Sequence, residues 1–117
     1  MASISNITYT ALATLGYTVA VQGTMQGTLP DTFITYQILG ENDVSHADNE
    51  PTAGEAMVQT ALYSKDPALM QSARDTLTTP MKAAGFMRGS GRALPYDKDT
   101  GHFGYVLDFR YYESEEE

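Results

Sequence analysis

With 117 residues, 42% of them hydrophobic, the chain has enough material for one packed domain and little room for a second. A net charge of −8 argues against holding a nucleic-acid backbone by counterion release. The absence of cysteine excludes disulfides and thiolate metal sites.

The first residues, Met1 to Asn6, lack the basic start and apolar centre of a signal peptide. No apolar run approaches the roughly 20 residues of a bilayer span, so a soluble chain with no membrane partner is expected. Asn6 or Ser5 can cap a short helix running to about Leu15 and closed by Gly16. Ile7, Ala11, Leu12 and Leu15 recur at helical spacing and form its apolar stripe. Tyr17 to Gln22 reads as a short first strand, and Gly23 to Pro30 as a loop.

Thr32 to Leu39 is rich in β-branched and aromatic residues and reads as a second strand ended by Gly40. The polar run Glu41 to Pro51 follows, with almost nothing to bury, and reads as a long loop. Such a loop is expected to be mobile in the free subunit and to order against a partner. A third strand resumes near Ala53 and runs to Tyr63, with Ala56, Val58, Thr60 and Leu62 on one face.

Asp66 and Pro67 mark a helix start, as cap and first helical residue. Leu69, Ala73, Leu77 and Met81 step by four along its buried side. Pro80 predicts a kink or a helix in two pieces, and Gly85 a left-handed cap. A fourth strand opens at Phe86, and Leu94 to Gly101 turns the chain into the last one. There Phe103, Tyr105, Leu107, Phe109 and Tyr111 alternate with His102, Gly104, Val106, Asp108, Arg110 and Tyr112. Strict period two over this length marks a long strand with one face on a core and one polar.

Segregated helices and strands favour an α+β fold. The expected architecture is a single antiparallel or mixed sheet of four to five strands with two helices packed on one face. Residues 1–112 make one domain and 113–117 an acidic tail.

The motifs that suggest chemistry have simpler readings. His46 and His102, the only histidines, have no paired ligand at fixed spacing and read as surface residues. Asp97 to Gly101 resembles the opening of a calcium loop, but Asp108 stands where the twelfth-position Glu should be. A hairpin turn fits better. Arg88 to Arg92, with two glycines, precedes no helix that could supply converging amides, so a flexible strand or a bulge is expected rather than an anion cradle. Neither a nucleophile–base pair nor a metal set is visible, and no enzyme activity, metal or cofactor is expected.

All seven basic residues lie from Lys65 onward, whereas Asp31, Glu41, Asp43, Asp48, Glu50 and Glu55 precede them unaccompanied. Two solvated faces of unequal charge explain this. Alternatively, the acidic part of one subunit could meet the basic part of the next in a salt-sensitive contact. Candidate partner-contacting residues are Glu41, Asp43, His46, Asp48, Glu50, Arg88, Arg92, Arg110 and Tyr112.

Taken in order, four stretches carry a family resemblance: Pro30-Asp31-Thr32-Phe33-Ile34-Thr35-Tyr36 after a helix and short strand; Tyr63-Ser64-Lys65-Asp66 into the second helix; its end at Ala83-Ala84-Gly85-Phe86; and Asp97 to Gly101 before the aromatic last strand. This order resembles the tail terminator (tail-completion) proteins of long-tailed bacteriophages, the minor tail protein U type. The resemblance implies a small α+β subunit that closes the head-proximal end of a tail tube as a homo-oligomeric, hexameric ring. It implies a virion protein assembled in the host cytoplasm, with tail-tube and neck or head-completion proteins as partners. It implies no catalysis. DNA would pass an acid-lined lumen without specific binding. Another head–tail joining protein, or a small non-enzymatic ligand-binding or adaptor domain, is the alternative.

Overall fold

The computed structural model describes residues 3–47 and 50–114, with side-chain surroundings for 3–41 and 54–112. The chain runs α1 (Ile4–Ala13), β1 (Thr18–Val21), β2 (Thr32–Ala47), β3 (Glu50–Ser64), α2 (Pro67–Gln71), α3 (Ala73–Ala83), β4 (Met87–Asp97) and β5 (His102–Ser114). Five strands form one sheet in the order β1-β2-β3-β5-β4. All neighbours are antiparallel except β1 and β2, which are parallel, so the fold is α+β with a mixed sheet.

The register aligns one parity of residues into a core face. Ile34 stands opposite Leu62, Thr60 opposite Leu107 and Val58 opposite Phe109. These residues cluster with Leu12 of α1 and with Ala73, Leu77 and Met81 of α3. The helices therefore cover this face. Thr60 is fully buried there, and its hydroxyl donates to the Leu107 carbonyl at 2.8 Å. That bond removes the cost of an unpaired polar group in the core.

The helix boundaries differ from expectation in instructive ways. Ser3, not Ser5 or Asn6, caps α1: its hydroxyl accepts from Asn6 N at 3.1 Å. The earlier start brings Ile4 into the buried stripe beside Ala11 and Leu12, with Ile7 and Leu15 half-buried at its edges. Thr8 is also buried, its hydroxyl returned to the Ile4 carbonyl at 2.8 Å. Asp66 caps α2 by accepting from Ala68 N at 2.9 Å, with Pro67 at the first helical position. The second helix is indeed in two pieces, but they part at Ser72 (φ −111°, ψ 13°). Pro80 lies buried within an unbroken α3. Gly85, at φ 102°, closes α3 in the conformation only glycine adopts cheaply.

The largest correction concerns Glu41 to Pro51. Instead of a long loop, β2 runs on to Ala47 and β3 begins at Glu50, paired through Asp43 with Gly54, His46 with Pro51 and Ala47 with Glu50. A polar sequence can hold a ladder because the ladder is made of backbone groups, and register shifts after Ile38 and Asp43 absorb the misfit. β5 joins the extension, with Glu113 opposite Gly54. The arm lies past the last core residues, Ile38, Ala56 and Tyr111. Seven residues of β2 reach about 23 Å beyond the body at about 3.3 Å each. The molecule is accordingly elongated, 54 × 26 × 23 Å. Its radius of gyration of 15.6 Å exceeds the roughly 13 Å of a compact domain this long.

Candidate interaction surfaces

Three surfaces stand out: the arm, the sheet face opposite the helices, and a groove between α1 and α3. On the arm, the backbone places Asp43 and His46 in β2 and Glu50 in β3, with Glu41 exposed at its base. Asp48 lies outside the described residues. At the root of the arm, the strand register brings Glu55 opposite Tyr112. The Glu55 carboxylate accepts from the Tyr112 hydroxyl at 3.3 Å and pairs with Arg110 at 3.5 Å. Glu55 was not singled out from sequence as a contact residue, and only the cross-strand register reveals its part.

The other candidates do not join this cluster. Arg88 lies on the helix side and donates to Thr78 Oγ1 at 3.5 Å. Arg92 is exposed and falls opposite Val106, on the face away from the helices. Lys65 pairs with Asp31 at 3.5 Å. Both ion pairs among the described residues thus join the acidic part of the chain to the basic part within one chain. The glycine run Arg88–Arg92 has a packing reason. A Cβ on Gly91 would meet the Tyr105 hydroxyl and Leu107 Cδ1, so any larger residue there would have to push both side chains aside. The register shift between Arg88 and Gly91 favours the bulge over a flexible strand.

The face opposite the helices is less open than the alternation suggests. His102 (4% exposed), Gly104 and Val106 are buried, so the first half of β5 is covered on both sides. His102 is therefore not a surface residue. The Pro30 carbonyl can only accept, so Nε2 carries a proton and donates to it at 2.8 Å. The ring lies edge-on to Phe33, which stacks on Tyr63 at 4.9 Å between centroids. Nδ1 is buried without a hydrogen-bond partner among the described residues, as is Asp108 Oδ1. A cleft of about 370 Å³ lies here, walled by Phe33, Tyr63, Leu94, Pro95 and His102. Residues Asp97 to Gly101 form the expected tight turn: Gly101 N donates to the Asp97 carbonyl at 2.7 Å, and Asp99 N to Asp97 Oδ1 at 2.9 Å. β4 continues through Asp97, so the turn is shorter than Leu94 to Gly101.

The third surface is a shallow apolar groove of about 430 Å³ between α1 and α3, lined by Ile7, Ala11, Pro80, Ala83 and Ala84. Among the described residues, no group of three His, Asp or Glu side chains converges as a metal site, and no helix is long and apolar enough to cross a membrane. No protein-family model matches the chain, and no curated protein matches it significantly.

Proposed function

We propose that the protein is a structural, non-enzymatic subunit of a bacteriophage virion: a tail terminator that forms a ring at the head-proximal end of the tail tube and joins it to the neck. The observation that carries this reading is the arm. A polar, three-stranded extension beyond the helix-covered body adds no core to its own subunit, yet its backbone is built into the main sheet. From Asp31 to Ser64 the sequence contains six acids and no Lys or Arg, so the hairpin of the arm is uniformly acidic. Such an element is suited to reach a neighbouring tube or neck protein, with Glu41, Asp43, His46, Asp48 and Glu50 as the contacts. The order of elements that resembles the tail terminators supports the same reading.

Sedimentation and negative-stain imaging at high protein concentration test it. A closed ring, hexameric by the family resemblance, that caps one end of isolated tail tubes is the expected result. A monomer at every concentration would refute the ring.

A further inference from the structure

We infer that neighbouring copies join edge to edge, with β4 of one subunit adding to β1 of the next, so that one sheet continues from copy to copy. This rests on the ring reading above and names the surface that would build it.

The first observation is charge. All 7 basic and 15 acidic residues lie at Asp31 or beyond, so α1, β1 and the turn after it carry no charge at all. A helix on the surface normally presents charged residues to water. On α1 and its C-cap the exposed positions are Asn6, Tyr9, Thr10, Ala13 and Thr14. Depletion of charge with an exposed aromatic is the composition of an interface centre. Asn6, Ile7, Thr10 and Thr14 border the groove towards α3, and the helical wheel puts Tyr9, 47% exposed, on the opposite flank. That flank looks outward, past the edge of the sheet.

The second observation is topology. β1 and β4 are the two terminal strands, so each has an outer edge that no strand covers among the described residues, although the Val21 carbonyl at the end of β1 already accepts from Thr24 N at 3.1 Å and Thr24 Oγ1 at 2.7 Å. Following the pairings across the sheet, β1 runs opposite to β4. Rotation about an axis along the strands would therefore set β4 of one copy antiparallel to β1 of the next, in the more stable ladder. Helices would stay on the same side, with the Tyr9 flank of α1 against α3 of the neighbour. Joining unlike edges is heterologous, and it closes into a ring when the rotation permits.

The third is length. Between its two register shifts β4 pairs regularly only over Gly91–Leu94, four residues, and β1 is also four residues, Thr18–Val21. Pairing Thr18 with Leu94 and Ala20 with Arg92 also matches the faces. All four residues fall on the side away from the helices, as the partners Phe33, Thr35, Gly104 and Val106 require. The arm and the Glu55 cluster remain free for other proteins.

The cysteine-free chain makes the test direct. Ala20→Cys and Arg92→Cys subunits are mixed, oxidised and run without reductant, with Thr18→Cys plus Arg92→Cys covering a two-residue slip. A disulfide-linked dimer from the mixture, and none from either variant alone, is expected, because strand partners lie within disulfide reach. The doubly substituted chain should give a ladder ending at the copy number of the ring. Sedimentation of the unsubstituted protein should change little from low to near-molar salt, because the β1 side of the seam offers no charge for Arg92 to pair with. Dimers from Arg92→Cys alone would mean that like edges meet and would overturn the inference. So would rings that link through neither mixture, or that salt disperses, although the ring reading would then survive. A monomer at all concentrations would remove both.

Discussion

The two faces of the sheet are both buried near Leu107, but by different means. On the helix side, Ile34, Val58, Leu62 and Leu107 are fully enclosed because α1 and α3 lie over them. On the other side, Phe33, Ala61 and Val106 are only 5–6% exposed, yet none belongs to the helix-packed cluster. Around Phe33 the cover is lateral: the Tyr63 ring stacked on it, the His102 ring, and the Pro30 segment held by the His102 hydrogen bond. A layer of helices makes a core, whereas a few rings and a loop make a patch. The difference teaches that low exposure by itself does not identify the stabilising face of a sheet.

Substitutions can break or sharpen that contrast. Phe109→Ala should destabilise the subunit most, by about 3–5 kcal/mol, and Leu107→Ala by about 2–5 kcal/mol, since each leaves a cavity under the helices. That is a large share of the roughly 5–15 kcal/mol total expected for such a domain. Denaturant melts measure both. Phe33→Ala should cost less, about 1.5–3 kcal/mol, because neighbours on the patch can settle into the space. A loss equal to that of Phe109→Ala would make the second face a true core.

Gly104→Ala probes the same patch from the opposite direction. Its Cβ would sit 3.0 Å from Leu94 Cδ1 and from the Tyr63 ring, so about 1–2 kcal/mol should be lost by crowding. A neutral result in thermal melts would show that the patch yields easily. The smallest effects belong to Arg110→Ala and Tyr112→Ala, below about 1 kcal/mol in the isolated subunit. Arg110 and Tyr112 are themselves about half exposed, and their contacts with the less exposed Glu55 carboxylate are long, 3.5 and 3.3 Å, so each stabilises little. If the arm meets another protein, these two variants should weaken that binding without changing the melt.

Legibility from sequence followed the kind of interaction involved. The Asp66–Pro67 start, the Gly85 cap and the core face of β3 could be read directly, because capping, positive φ and side-chain alternation act within a few residues. The partner-contact candidates were less readable. Glu55 gathers Arg110 and Tyr112 only through pairing of β3 with β5 across more than fifty positions. Nothing local signals that Arg88 turns towards α3 while Arg92 faces the other way, since the bulge between them reverses the parity.

What the amino-acid sequence determined alone was the α+β class, the apolar face under the helices and the alternation of β5, all set by hydrophobic periodicity. Tertiary structure decided the rest. It turned a polar stretch into an arm, because backbone ladders require no apolar side chains once a neighbouring strand offers its edge. It buried His102 on the second face, because the Phe33 ring and the Pro30 carbonyl, from distant positions, pack against it. It also left β1 and β4 as the two open edges, a property of strand order that no single stretch of sequence contains.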